Sequence, residues 1–383
     1  MSFDSLRSTF PRASRGGARA AASPGVEVFQ QERPRGAIVL TRRGASARDF
    51  AWWVERLSWG NLAFIGVVVL LVCVVSERWW LSALLTYLPR QPYAIPALIL
   101  LPLSLFVCWR VSWVNLAALV LVAGPLMGLS LPLEEPAVVG PGRTRVKVAS
   151  GNLQNGKGIL RKLREELRQF DPDIVVFQEA AQGCDELLAD YSGWESAHLI
   201  SYFVASRYPL RVVDPCKVKA FQRWSAVLVE IDTPDGTVRI GDVHLMTARH
   251  GATGITLSSP LSGNGVDEFE WHLRLRDEEA QETRDFFDRH HEQPLLLAGD
   301  FNTPTTSSHF TSHWSGFQSA FETAGRGYGY TAPCNASRLW FENTPWLRID
   351  HLLADDAWSI HSCRIGETNG SDHRLLFTEV SLK

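Results

Sequence analysis

Leu295-Leu296-Leu297-Ala298-Gly299-Asp300-Phe301-Asn302-Thr303-Pro304 is an apolar run that drives into a glycine and then offers a carboxylate and a carboxamide two residues apart. Four apolar residues bounded by turn formers read as a buried strand. Alternation along that strand places Asp300 and Asn302 on one side of the chain, and Thr303-Pro304 ends it. Alone, the segment also fits a turn aspartate followed by a helix-capping asparagine. The pattern repeats, however. Asn152 follows the alternating segment 145–149, and Gln178-Glu179 follows Ile174-Val175-Val176-Phe177. Asp242-Val243-His244 lies in the strand read over 238–245, Asp350-His351 in that over 348–353, and Ser371-Asp372-His373 just before that over 375–380. Oxygen and imidazole side chains gathered at strand ends can hold a hard divalent cation and activate water against an anionic ester.

Between these tips the periodicity predicts a helix over 158–170, a second over 184–191 and a long charged one over 269–291. Segments 199–204 and 226–231 read as strands, and the turn Pro234-Asp235-Gly236 makes a hairpin of the latter with 238–245. Strands that alternate with long helices, with polar tips along one edge, suit an α/β domain whose packed sheets carry helices outside.

The net charge of −3 over 383 residues hides an asymmetry. Residues 1–144 carry 14 Arg and Lys against 8 Asp and Glu, whereas residues 145–383 carry 24 against 33. A protein that tracks duplex DNA neutralises several phosphates with basic side chains. No basic stripe is present, so tight nucleic-acid binding is not expected, and no protein partner is legible. Cys184, Cys216, Cys334 and Cys363 fit either disulfides or free thiols; none has the spacing of a metal site.

Residues 59–76, 93–109 and 111–131 are nearly free of charge and close to the ~20 residues that cross a hydrocarbon core. Trp52, Trp53, Trp59, Trp79, Trp80, Trp109 and Trp113 cluster at their edges, as in an interfacial aromatic belt. Pro96 and Pro102 suit a membrane helix better than a soluble one. Arg42, Arg43, Arg48 and Arg56 argue for a cytoplasmic N-terminus. Three spans then place the rest outside the cytoplasm, as a multi-pass protein of the cell membrane. The expected organisation is a disordered basic tail (1–56), three spans (57–133), a Pro- and Gly-rich linker (134–144) and a catalytic domain (145–383).

Ser150-Gly151-Asn152, Asp173 through Gln178-Glu179, Ser206-Arg207-Tyr208-Pro209, Val243-His244-Leu245, Gly299-Asp300-Phe301-Asn302, Ile349-Asp350-His351 and Ser371-Asp372-His373 stand in an informative order. With them, residues 145–383 resemble the endonuclease/exonuclease/phosphatase (DNase I-like) superfamily, in its membrane-anchored bacterial form. The resemblance implies a four-layer α/β/β/α sandwich and hydrolysis of a phosphate ester, in nucleic acid or a phospholipid head group. It implies Mg²⁺, with Mn²⁺ or Ca²⁺ as substitutes, held by Glu179 with Asn152 and Asp372. Asp300 would orient or deprotonate the attacking water, and Asn302 would hold that water or a phosphate oxygen. His373, kept in its tautomer by Asp350, would contact the scissile phosphate; His244 would donate to a phosphate oxygen or protonate the leaving group.

One departure is Gly151, where the family commonly has an aromatic residue. Arg348 reads either as a phosphate clamp or as half of a structural ion pair, and the other histidines, His351 among them, hold no position that implies chemistry. A catalytically silent relative that binds a lipid or a protein is the alternative, but loss of Glu179, Asp300 or His373 would mark it and all three are present. A two-carboxylate glycosidase would leave the Asp-His and Gly-Asp-Phe-Asn motifs without a role.

Overall fold

In the computed structural model, the residues described are 42–132, 137–156, 160–180, 184–256, 258–335 and 341–383. Residues 1–41 of the expected disordered tail, and part of the linker, lie outside them, whereas 42–56 of that tail are helical. Four apolar helices come first: α1 (Arg42–Leu70), α2 (Trp80–Tyr87), α3 (Ile95–Val107) and α4 (Ser112–Leu121). Helical stretches long and apolar enough to cross a bilayer cover Ser46–Arg78 and Trp109–Leu126. Between them, α2 meets the stretch Gln91–Val107 at a bend of 89°, and the two make one further span only if taken together. The first expected span is thus longer than its sequence bounds, and a separate short helix precedes the second. Pro89 explains the break, because the residue before a proline is pushed out of the helical region. Leu88 accordingly sits at φ −83°, ψ 156°.

Ile65 and Val68 of α1, and Val72 of the π turn that follows it, pack against Ala97, Ala118 and Val122. Asn115 fastens the bundle by donating to Ser58 Oγ (3.0 Å) and Ser104 Oγ (3.2 Å). Phe64, Leu98, Ile99, Phe106 and Val120 of this bundle are exposed.

Twelve strands follow among the described residues: β1 (Val146–Asn152), β2 (Ile174–Gln178), β3 (Glu195–Leu199), β4 (Tyr202–Ser206), β5 (Leu210–Lys217), β6 (Trp224–Thr233), β7 (Gly236–His244), β8 (Leu295–Asp300), β9 (Gln318–Ser319), β10 (Asp350–Ala354), β11 (Trp358–Ile365) and β12 (Leu376–Leu382). The helices among them are α5 (Leu160–Phe170), the single turn α6 (Ser259–Ser262), α7 (Val266–Arg289), α8 (Ser308–Trp314) and α9 (Ala320–Ala324). One sheet has the order β11-β12-β1-β2-β4-β3 and the other β5-β6-β7-β8-β10-β9. The central pairs β1–β2 and β7–β8 are parallel; their neighbours are antiparallel.

Val148, Val176, Val204, Val229, Ile240 and Leu296 belong to the core between the sheets. Leu163 and Leu167 of α5 cover the outside of the first sheet, and Ala280, Phe286 and Phe287 of α7 cover the second. This is the expected α/β/β/α layering of a DNase I-like fold. Burial is its driving force: each fully buried aliphatic side chain contributes about 1.5–3 kcal/mol.

Several local expectations are corrected. Segment 199–204 is not one strand but the hairpin β3–β4, turned at Ile200 with φ 62°. The helix expected over 184–191 is a 3-10 helix, Cys184–Asp190. Strands β5 and β11 escape the sequence reading because both carry polar residues and register shifts. In β5 Pro215 is tolerated because the strand lies at a sheet edge. No disulfide joins any of the six cysteines.

Gly299 holds the end of β8 at φ 144°, where a Cβ would lie 2.0 Å from the Val243 carbonyl oxygen of β7. That neighbour is backbone and cannot yield. Gly299→Ala is therefore expected to cost at least ~2 kcal/mol of stability, read as a lower denaturant midpoint with an unchanged slope.

Candidate active site

Strand register gathers the polar tips. Asn152 ends β1 beside Gln178 of parallel β2. His244 ends β7 beside Asp300 of parallel β8, and Asp350 opens β10 opposite the same Asp300. Asp372 and His373 precede β12, the antiparallel neighbour of β1. Ser371 ties that turn down: its hydroxyl donates to the Asn152 carbonyl at 2.8 Å and accepts from the His373 amide at 3.1 Å.

Asp300 lies at the centre and is buried. One carboxylate oxygen accepts from the Asn302 backbone amide (2.8 Å). The other accepts from the Asn302 side chain (3.0 Å) and from Asn152 Nδ2 (3.2 Å). Strand alternation does not bring Asn302 there, since β8 ends at Asp300. A left-handed turn with Asn302 at φ 51° returns its amide to Asp300, and Asn accepts that conformation more readily than most residues. Glu179 is also left-handed, at φ 44°, and its side chain, 34% exposed, is the most accessible carboxylate of the group. It accepts from Asn152 Nδ2 at 3.0 Å.

Two imidazoles flank this centre in opposite states. His373 Nδ1 pairs with Asp350 Oδ2 at 2.8 Å, while its Nε2 lies 3.7 Å from Asp300 and 3.9 Å from Asp372. Burial opposes its charge, but Asp350, Asp300 and Asp372 outweigh burial and hold its pKa up at about 10. His244 Nε2 lies 3.7 Å from Glu179 and 3.8 Å from Asp300. Burial, with the charges of Arg223 and His373, pushes its pKa down to about 3. At neutral pH His373 thus carries a proton to spare, whereas His244 is a neutral hydrogen-bonding group. Burial also raises the Asp300 carboxyl above its ordinary range, helped by Asp350 and opposed by His373. A buried acid beside a charged imidazole is the pairing that proton transfer near neutrality requires.

Asp300, Asp350 and His373 form a tight cluster of possible ligand atoms, all within 4.8 Å of one another. Asn152, Glu179 and Asp372 surround it. The set fits a hard cation through its donor chemistry: the carboxylates of Glu179, Asp300, Asp350 and Asp372 outnumber the one charged imidazole, an excess of negative charge that a divalent ion balances.

Arg348 is buried and donates to Glu322 (2.9 Å), Thr305 Oγ1 (3.1 Å) and the Tyr328 carbonyl (3.3 Å), with its guanidinium 4.8 Å from the Phe321 ring centroid; of the two roles open to it, these contacts are those of the ion pair. His351 is a satisfied core residue bonded to the Thr303 carbonyl at 2.9 Å. At Gly151 an added Cβ would lie 2.6 Å from Leu375 Cδ2, so Leu375 fills the space that an aromatic side chain would need.

Gln178 and Asp242 stand in the strand-tip motifs with no role legible from the sequence. The structure bonds Gln178 Nε2 to Asp242 Oδ1 at 2.6 Å, with both residues buried beneath the site. Burial raises the Asp242 carboxyl well above its ordinary range. Arg276 was also missed: on a helix read only as charged, it is buried and donates to the Asn302 carbonyl.

His373 yields a pH prediction. Its folded pKa exceeds the unfolded value of 6.5, so its contribution to stability is complete below about pH 6.5 and fades as pH rises through about 10. In chelator-treated protein, imidazole nitrogen NMR should find the His373 ring still protonated at about pH 8, where an unperturbed imidazole is neutral. Asp350→Asn should return its titration toward the ordinary range.

A family model described as the endonuclease/exonuclease/phosphatase family matches residues 149–373, a window that holds all the groups gathered here. No curated protein matches the chain. Among solved structures, an endonuclease/exonuclease/phosphatase of Bacteroides vulgatus is similar over 63% of this chain and 100% of that one, at 16% identity and a TM-score of 0.45. The human Nocturnin catalytic domain with bound sulfate matches 64% of this chain and 100% of its own, at 15% identity and a TM-score of 0.44. A mannosyl-6-phosphatase of Bacteroides thetaiotaomicron matches 61% and 99%, at 15% identity and a TM-score of 0.42.

Proposed function

The chain belongs to the endonuclease/exonuclease/phosphatase family, and on that premise we propose that this phosphate-ester hydrolase is membrane-anchored, requires a divalent metal and works by in-line attack of water beside Asp300. The observation that carries the reading is Asp300 itself: buried, oriented by two carboxamides and 3.7 Å from a charged His373.

Asp300 accepts a proton from the attacking water, and the Asn302 and Asn152 amides fix which lone pair faces it. Asn302, whose side-chain NH₂ is spent on Asp300 and the Leu245 carbonyl, has its amide oxygen to accept from that water. His373 donates to the phosphoryl oxygens, kept charged and in one tautomer by Asp350. His244, neutral, donates a hydrogen bond to a phosphate oxygen rather than acting as the acid; as the P–O bond to the leaving group breaks, the departing oxygen takes the proton carried by His373, which is replaced by the one Asp300, 3.7 Å away, drew from the water. Glu179, Asn152 and Asp372 would hold Mg²⁺, or Mn²⁺ or Ca²⁺ in its place, which when bound neutralises charge on the phosphoryl group.

For the substrate, a phospholipid head group is favoured over nucleic acid. The body 145–383 is acidic, with 33 Asp and Glu against 24 Lys and Arg. α2 packs against segments that border the catalytic edge: Ala83 clusters with Phe269 and Leu273, and Tyr87 with Trp346 and Ile349. With three N-terminal spans (57–133), a linker (134–144) and the catalytic domain (145–383) outside the cytoplasm, the site would lie close to the bilayer surface.

Full-length protein in nanodiscs with Mg²⁺ tests this on a sphingomyelin-type lipid, duplex DNA, single-stranded DNA and a phosphomonoester. Lipid turnover should exceed the others and vanish with chelator. Asp300→Ala should lower kcat by about 10²–10⁴-fold with the fold retained. Equal turnover by Asp300→Ala would overturn the mechanism, and preferential cleavage of DNA would overturn the substrate.

A further inference from the structure

The segment from Arg48 to Lys383 packs as one unit, and its N-terminal helices reach the catalytic loop through buried polar groups. Glu77, just past the π turn that extends α1, is 6% exposed. One of its carboxylate oxygens accepts from Tyr87 (2.8 Å) and Ser307 Oγ (2.5 Å). The other accepts from Ser76 (2.6 Å), the Ser308 amide (2.8 Å) and the Ser308 hydroxyl (2.8 Å). Ser307 and Ser308 open α8, so Glu77 sits at the start of that helix, where negative charge is favoured.

Tyr87, the last residue of α2, carries the link onward. Its hydroxyl donates to Glu77 and accepts from Arg276 Nη1 at 2.7 Å. Arg276, on α7, is itself buried and makes three further hydrogen bonds on the catalytic side. Nε donates to the Met246 carbonyl (2.9 Å), two residues beyond His244, and Nη2 to the Asn302 carbonyl (2.8 Å) and Thr303 Oγ1 (2.9 Å). The loop 302–308 is therefore held at one end by Arg276 and at the other by Glu77, with Tyr87 joining the two. A planar guanidinium with its donors committed fixes geometry as well as charge. Loss of one partner in so buried a network leaves its neighbours unsatisfied.

We infer that Glu77, Tyr87 and Arg276 form a positioning relay through which the N-terminal helical segment sets the geometry of Asn302, so that the segment is part of the active-site scaffold rather than a passive tether. The inference rests on the role given to Asn302 above. Asn302 sits in a left-handed turn at φ 51°, and such a conformation persists only when its surroundings over-determine it. Its side chain orients Asp300, so a displacement of its carbonyl is felt at the reacting atoms, where small misplacements are costly.

Tyr87→Phe tests the relay in the full chain, because it keeps the ring and removes only the shared hydroxyl. With bis(p-nitrophenyl) phosphate and Mg²⁺, kcat should fall about 5–30-fold while KM stays within about twofold. In an Asn302→Ala background the same change should cost nothing further, since coupled residues are not additive. Hydrogen exchange supplies a readout independent of turnover: amides 301–303 should exchange at least ~5-fold faster in Tyr87→Phe. Wild-type kcat together with wild-type exchange would overturn the relay, as would a full, independent loss in the Asn302→Ala background. A wild-type protein inert on every phosphate ester would defeat the phosphoesterase reading alone, leaving exchange to decide the relay. If Tyr87→Phe does not fold, Arg276→Lys, which keeps the charge but not the fork, takes its place with the same expected outcomes.

Discussion

A carboxylate buried at the meeting edge of two sheets is the constraint on which the rest of this molecule turns. Asp300 cannot keep a charge away from water unless its neighbours supply donors and countercharge. Asn152 comes from the first sheet to meet it; Asn302 and His373 come from turns. The two sheets must pack at a fixed distance and register for these groups to converge, so the apolar core and the polar edge specify one another. Gly299 shows the dependence, because a Cβ there would meet not only the Val243 carbonyl of its own sheet but also, at 3.0 Å, Gln178 Nε2 of the other.

The electrostatics of the edge follow from the same convergence. Burial alone would leave both histidines neutral. Only His373 has carboxylates arrayed on both ring nitrogens, and only it stays charged. His244, at similar distance from two carboxylates but beside Arg223 and His373, goes the other way. Two residues of one type thus take different protonation states from placement, which is what a site that both donates and accepts protons needs. The N-terminal helices are tied into this arrangement by side chains, through Glu77, Tyr87 and Arg276, as well as by apolar packing.

Much of this was legible in the chain. The apolar runs ending in Asn152, Glu179, His244 and Asp300 identify strands and tips because period-two burial and turn residues are local signals. The long charged helix and the apolar N-terminal stretches are legible for the same reason. Strands β5 and β11 were not, because edge strands with polar residues and register shifts lack the alternation that burial imposes. Arg348 could not be assigned from its neighbours in sequence: its partner Glu322 and the Phe321 ring come from a different segment. The same holds for Arg276, one of many charges on its helix and singled out only by what packs over it.

The sequence by itself determined the class of fold and the chemical identity of the groups at the strand tips, since hydrophobic period and residue chemistry are properties of short segments. Which tips meet, at what distance and in which protonation state was decided by tertiary structure alone. Register, burial and the field of neighbouring charges depend on residues far apart in the chain. That is why Asp350 and Asp372 are both aspartates beside a histidine, yet only Asp350 pairs directly with His373 at 2.8 Å.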